Sequence, residues 1–574
     1  RSALPAVGRW PLVLTVPIGL IWLLPNLHRT VTERIDPLAT YDEVRRLAER
    51  IDAGLSDAGI VAPTVLTPDI GGFGYGPAAL RVIDLGRLVD TTLAHHGYTR
   101  PVFTDYVFDQ RRPTFIRTHH RWTTESRLTD EPAFTAGYVA LRYWTENGAP
   151  GGEFLRRDAL IGDLPGEAQV VAPADRAGFA TGLELRGWES VTLPGEAGQL
   201  RLWLYWARVG PVASDFGLAV RVGGVDGAAV ATVDHEPTSG LLPATTWPEG
   251  EVVRDFVAVP LPAGLPAGEY TLAIGRVGAP EPFRPVGTMP IGSSSSQPPA
   301  TLAAIEPLLA RGNLTAAVGA FRRLAAGRPP ADPDLLPILD RIRERGADLA
   351  RLAGDGRTAA RLAAELWPFS GWGTPPAALR AAADECAARA DRARAAGDLE
   401  EAVRWQVCAS DLVPADPARR HALEDLRTQA FPLTLPALPP DATPIEATFG
   451  RRLRLLGYAI DPAPPLTPGR PVTLHLYFES LARVTTDYEI SVHLESPVGR
   501  VGADHYPPIA TSRWRPGQVI SDRVTVIVPP GAAGLSTLWV GVTDRREPLS
   551  VTAGPARNDG QRVLLGDLIS GQAP

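Results

Sequence analysis

Leu202-Trp-Leu-Tyr-Trp206 and Leu474-His-Leu-Tyr-Phe478 decide how this chain is divided. Both stand in regions of period-two alternation broken by Gly/Pro turns, the pattern of strands with one buried face. Each also holds the same place in an ordered series of blocks. Leu185-Arg-Gly-Trp188 parallels Leu455-Leu-Gly-Tyr458, and Asp215-Phe-Gly-Leu218 parallels Asp487-Tyr-Glu-Ile490. Asp234-His-Glu-Pro237 parallels Asp504-His-Tyr-Pro507. Trp247-Pro-Glu-Gly-Glu-Val-Val-Arg-Asp255 parallels Trp514-Arg-Pro-Gly-Gln-Val-Ile-Ser-Asp522. Five blocks in one order, offset by about 270 residues, predict a duplicated antiparallel β-sandwich over 150–287 and 432–570.

Between the copies the composition changes. Residues 288–300, with Ser293 to Ser296, read as a linker. Residues 301–430 are rich in Ala, Leu, Arg and Glu and read as helical. Gly312, Gly354 and Gly397 each precede an Ala by five residues (Ala317, Ala359, Ala402), and Pro329 and Pro414 end the first and third units. This spacing resembles the tetratricopeptide repeat, with small residues where helices cross. The copies are 42 and 43 residues apart rather than 34, so the units are degenerate helical hairpins.

Composition excludes several classes. The 574 residues imply about four domains. A formal charge of −7 argues against a nucleic-acid partner, which calls for a basic face. All 57 basic residues are Arg, which excludes a catalytic, Schiff-base or P-loop Lys and suggests a GC-rich bacterial genome. Two Cys exclude a disulfide scaffold. Cys386 and Cys408 fall on the two helices of one hairpin, where a disulfide and buried free thiols are both open readings.

Residues 1–30 hold the one membrane-grade segment. Trp10 to Leu24 carries no charge, and Trp10 and Trp22 sit near its ends as interfacial anchors do. Pro11 and Pro17 are tolerated in a span. A signal peptide is the rival, but Leu24-Pro-Asn-Leu-His28 offers no small-x-small cleavage site. A transmembrane helix with residues after about 30 outside the cytoplasm is the expectation, in a bacterial cytoplasmic membrane.

Residues 31–130 read as a small α/β domain: a helix from Pro37, strands at Thr64–Thr67 and Arg81–Leu85, a helix at Arg87–His95 and a strand near Phe115. Between the first two strands lies Thr67-Pro-Asp-Ile-Gly-Gly-Phe-Gly-Tyr-Gly76. Its glycine spacing is not that of a dinucleotide site, and a strand follows where a helix should. Asp69, Tyr75 and Asp84 are the ligand-binding candidates here, since carboxylates accept sugar hydroxyls and a Tyr ring stacks on a pyranose. The structural alternative is a turn between strands with Asp69 capping it.

Asp69, Gly71 and Tyr75, then Arg81-Val-Ile-Asp-Leu85 with Leu88 and Asp90, then Arg111-Arg-Pro-Thr-Phe-Ile116 resemble a block in bacterial polytopic C-type glycosyltransferases. These are polyprenyl- or dolichyl-phosphate-sugar enzymes, mannosyltransferase- and arabinosyltransferase-like. In them the block follows the last membrane helix and forms an extracytoplasmic α/β domain. The sandwich at 450–545 resembles a domain appended to some of them. The resemblance implies sugar transfer from a lipid-phosphate donor, with membrane lipid, a lipid-linked sugar and a glycan or protein acceptor as partners. The catalytic acid it implies lies in a first outside loop, upstream of Arg1. No catalytic residue, metal ligand or cofactor is therefore assigned here. The alternative is a non-enzymatic membrane-anchored surface protein, its helical repeats binding a partner.

The other constellations are weaker. His95-His96 and His119-His120 are adjacent pairs, which rarely point at one metal. The repeated Asp-His blocks read as turn residues, and Trp247 and Trp514 as core anchors before Pro/Gly turns.

Overall fold

Thr64–Thr67 (β1) is buried at every position, as the centre of a parallel sheet should be. The computed structural model describes residues 41–570, apart from 78–79, 147–148, 178, 180–181, 194–195, 197, 213–215, 225, 279–282, 292–298, 530–531, 533 and 545–546. The described residues form a multidomain α+β chain with five sheets. The span expected in residues 1–30 lies outside the described residues. No described helix is long and apolar enough to cross a membrane.

Arg81–Asp84 (β2) and Phe115–Thr118 (β3) flank β1 in parallel. Tyr138–Glu146 (β4) and Ala149–Arg156 (β5) extend the sheet antiparallel, giving the order β2-β1-β3-β5-β4. The α/β sheet thus runs to Arg156, past the boundary at 130 read from sequence. The register of the 138–156 hairpin against β3 is what assigns it to this sheet. Helix Tyr41–Asp57 opens with Asp42 and Glu43, favourable at a helix N-terminus. It buries Ala48, Ile51 and Leu55, one face by spacing. These residues share an apolar cluster with Val65 and Phe115 of the sheet and with Trp188, Leu202 and Leu204 beyond it. The α/β unit and the next sheets therefore have a common core.

Two pairs of sheets follow, with nine described strands in the first and ten in the second, and seven strands correspond one to one. Strands Val252–Pro260, Gln199–Arg208 and Leu183–Ser190 are neighbours in the first, as Val519–Ile527, Pro471–Ser480 and Leu453–Asp461 are in the second. Opposite them, Ala229–His235, Leu218–Gly223, Gly268–Arg276 and Arg284–Ile291 carry the same order as Gly499–Gly502, Glu489–Ser496, Gly534–Thr543 and Arg562–Ser570. Even the bulges recur, between Leu185 and Gly187 and between Leu455 and Gly457. A Cβ on Gly187 would meet the Gln169 carbonyl at 2.8 Å, and one on Gly457 the Thr443 carbonyl at 2.7 Å. The Leu-x-Gly-aromatic block is thus set by a neighbouring backbone that leaves no room for a side chain.

Among the described residues, seven α-helices separate the two sheet pairs. Ala300–Ala310 with Leu314–Ala325, Leu336–Leu352 with Gly356–Leu366, and Ala377–Ala395 with Leu399–Leu412 form three hairpins, and Pro417–Ala430 closes the array. Ala317, Ala359 and Ala402 are all fully buried. The second helix of each hairpin is N-capped one residue after the repeated Gly, by Asn313, Asp355 and Asp398. Strand Arg284–Ile291 and helix Ala300–Ala310 reach into the stretch read as a linker. Cys386 and Cys408 are buried free thiols. Burial pushes the Cys408 thiol up, and the adjacent Cys386 thiol adds to it.

Candidate functional site

The chain passes from β1 to β2 on one side, then crosses to β3 on the other. Such a reversal opens a crevice beyond the carboxyl ends of the two diverging strands, the usual ligand position in open parallel sheets. Asp69 lies two residues past β1, and Arg117 and His119 lie at the end of β3. Arg117 Nη1 donates to Asp69 Oδ2 at 2.6 Å, and His119 Nε2 stands 3.0 Å from Asp69 Oδ1. Arg117 Nε is 3.6 Å from Glu153 Oε1 on β5. Burial alone would raise the Asp69 carboxyl. The His119 hydrogen bond and the charges of His119 and Arg117 outweigh it and hold Asp69 below the usual carboxylate range.

Asp69 is the N-cap of the short helix Ile70–Phe73, yet its side chain accepts no capping hydrogen bond. The carboxylate faces Arg117 and His119 instead. The glycine-rich turn has a packing cause: a Cβ on Gly72 would meet the Val44 side chain and the Arg45 backbone within 2.6 Å.

The three sequence candidates do not converge. Asp84 is buried opposite Thr67, and its Oδ2 accepts from the backbone N–H of Leu88 and Val89 at 2.5 and 2.6 Å. It organises its own turn. Tyr75 is 78% exposed, with its ring edge-on to Tyr41 at 6.1 Å. Only Asp69 meets other functional side chains. Arg117 was not among the candidates and His119 was weighed only with His120 as a metal pair, because they lie 48 and 50 residues from Asp69. Their position straight after a third apolar strand was the signal that could have found them. His96 faces Glu424, and His119 faces Asp69 with its ring edge-on to that of His120 at 5.0 Å. Among the described residues no cluster of metal-ligating groups occurs.

A cleft of about 580 Å³ lies between the α/β unit and the second sheet pair, lined by Tyr98, Arg100, Trp122, His505, Tyr506 and Asp522 among others. A neighbouring cavity of about 520 Å³ shares Arg100, Glu131, Arg523 and Thr525 with it. Arg100 is fixed at their junction by Glu131 Oε1 at 2.7 Å and the Ser126 carbonyl at 2.8 Å. Asp105 lines the second cavity, on the π-helical segment Asp105–Arg111. Burial, then repulsion by Asp109, pushes its carboxyl up to about 6.

No protein-family model matches the sequence. No curated protein matches it either. Among solved structures, the Pseudomonas fluorescens alkylpurine DNA glycosylase AlkC bound to DNA aligns over 48% of this chain and 77% of its own, at 12% identity and a TM-score of 0.14. A glycosyl hydrolase family 2 member from Bacteroides cellulosilyticus aligns over 76% of this chain and 67% of its own, at 11% identity and a TM-score of 0.16. A β-glucuronidase from the same hydrolase family covers 74% of this chain and 60% of its own, at 9% identity and a TM-score of 0.16. Scores this low carry no argument about fold or activity.

Proposed function

We propose that the chain is the extracytoplasmic C-terminal portion of a membrane glycosyltransferase that takes sugar from a lipid-phosphate donor, with this part positioning the acceptor. One observation supports the reading above the rest. The block that resembles those enzymes folds into parallel strands whose carboxyl ends gather Asp69, Arg117 and His119 in one charged cluster. Carboxylate, guanidinium and imidazole together offer both donors and acceptors to a hydroxylated ligand. On this reading residues 1–30 include the last membrane helix, the two sheet pairs are related β-sandwiches, and the hairpins are degenerate tetratricopeptide-like units. The acid/base chemistry belongs to the membrane core upstream.

The second reading is a membrane-anchored surface protein without catalysis. The ion pairing of Asp69 favours it, because a satisfied cluster also serves as a plain strand-end clamp.

The test uses membranes from cells expressing the whole coding region, supplied with radiolabelled polyprenyl-phosphate-mannose and polyprenyl-phosphate-arabinose. Expected are about eight or more apolar spans of ~20 residues upstream of Arg1, transfer of label, and at least tenfold slower transfer in Asp69→Asn at equal protein level. A start codon directly upstream of Arg1, or no transfer, leaves the surface-protein reading.

A further inference from the structure

A further cavity, of about 210 Å³, lies where three units meet. Arg112 and Arg156 reach it from the α/β unit, Arg254 from the first sheet pair, and Arg322 and Arg323 from helix Leu314–Ala325 of the first hairpin. Only two carboxylates, Asp158 and Glu365, line it with them.

The pairings leave one of the five arginines out. Arg112 meets Asp158 and Glu365, each at 2.9 Å. Arg156 takes the other oxygen of Asp158, and Arg323 pairs with Glu167 and Glu189. Arg254 has no carboxylate, but its Nη2 donates to the Asp158 carbonyl at 2.8 Å. Arg322 has neither. Among the described residues it forms no hydrogen bond or ion pair, and its guanidinium carbon stands 5.6 Å from the centre of the buried Phe369 ring.

The bare nitrogens can be reached. Nε of Arg322 is closed off, whereas Nη1 and Nη2 are open to solvent. They face the cavity, because the charges acting on this guanidinium are those of Arg156, Glu365, Asp158 and Arg112, all in its walls. Burial, then repulsion by Arg156, pushes the Arg322 pKa down to about 10, so the group stays charged at neutral pH in surroundings that disfavour the charge. Arg254 is lowered as well, by burial and by Arg323. An anion relieves both effects. A guanidinium fork matches two oxygens of a phosphate-like group. The cavity is smaller than the ~300 Å³ at which pockets for drug-sized ligands begin, which suits a small ion better than a sugar or a nucleotide.

We propose that this cavity binds a small tetrahedral oxyanion of the phosphate class, held by Nη1 and Nη2 of Arg322 with Arg254 as a further donor in the same cavity. A free phosphate ion and the phosphate end of a larger ester share that chemistry. The proposal is independent of the glycosyltransferase reading.

The test is calorimetric titration of the full chain, in detergent at low ionic strength and neutral pH, with sodium phosphate, with sodium chloride as control and with geranyl phosphate as the ester. Phosphate gives a saturable one-site isotherm and raises the melting temperature, and chloride does neither. Arg322→Gln weakens phosphate binding about tenfold or more. Gly319 lines the cavity one turn before Arg322, with open space where a Cβ would stand. Gly319→Glu therefore brings a carboxylate of the chain's own to the guanidinium without crowding. It abolishes phosphate binding, melts at the same temperature or higher, and decides the matter where Arg322→Gln folds poorly. Competition by geranyl phosphate supports the site with an ester as ligand; phosphate binding that geranyl phosphate leaves undisturbed supports it with the free ion. No saturable phosphate binding by the parent chain overturns the proposal and leaves Arg322 merely hydrated. So does binding indifferent to Arg322→Gln, or to Gly319→Glu where that is the variant that folds.

Discussion

Asp255 and Asp522, fully buried counterparts in the two sheet pairs, measure what two hydrogen-bond donors do for one carboxylate. The Thr238 backbone N–H donates to Asp255 Oδ1 at 2.7 Å and the Trp206 indole to Oδ2 at 3.1 Å. Pro508, which has no N–H, and Phe478 stand at the matching positions of the second copy. Trp206→Phe gives the first copy one of the second copy's losses and leaves Asp255 Oδ2 unpaired. The expected cost is about 1–3 kcal/mol, seen as a lower unfolding midpoint by near-ultraviolet circular dichroism. The exchange of Trp206 for Phe478 is visible in the aligned blocks, as is that of Thr238 for Pro508. Their meaning was not, because nothing in either block says that the indole and the backbone N–H both reach an aspartate on another strand. The same holds for Asp69. Its residue type and its turn were legible, whereas Arg117 and His119 became its partners only through the β2-β1-β3 strand order. Trp247 and Trp514 were read more easily: each indole donates to a carbonyl five residues earlier, Leu242 and Ile509, so local spacing alone fixes them.

The helical hairpins are set by local chemistry, and their caps carry it. Asp355 accepts from the Thr358 N–H at 2.7 Å and its hydroxyl at 2.9 Å, and these hold its carboxyl below the usual range. Asp355→Ala removes that cap, worth ~1 kcal/mol. Hydrogen exchange in Gly356–Leu366 rises about fivefold, while Leu399–Leu412, capped by Asp398, is unaffected. The Gly and Ala spacing revealed the hairpins because turns and helix crossings constrain residue size. The strand pair Tyr138–Arg156 showed no such constraint, and its membership in the α/β sheet depends on pairing with β3.

Across the whole molecule the helices act as a spine on which the other units are mounted. The Trp203 indole donates to the Arg323 carbonyl at 3.1 Å, and Arg323 Nε reaches Glu189 at 2.8 Å, seating the first sheet pair on the first hairpin. At the far end Arg111 pairs with Asp411 at 2.7 Å. Glu424 receives the Thr92 hydroxyl at 3.0 Å, faces His96 at 3.0 Å, and accepts from Arg427 at 2.8 Å. Burial works against the Glu424 charge, but His96 and Arg427 prevail and hold its carboxyl down to about 2. A carboxyl held low stabilises docking fully above pH 4.5 and loses that contribution as the pH falls toward 2. The linkage is on the order of 3 kcal/mol. Pepsin should therefore cut within Pro417–Ala430 much faster at pH 2 than at pH 4.5, and Glu424→Gln should flatten that difference.

The spine also sets the order of events during synthesis. Every strand pair of the first sheet pair closes within residues 161–291, and every pair of the second within 434–570. At about 5–20 residues per second, the ribosome needs on the order of ten seconds to make the helices between them. The first copy is therefore complete before its near-duplicate emerges, so strands of like pattern never compete for the same sheet edge. A chain refolding from denaturant has no such timetable, and cross-pairing between the copies is the error open to it.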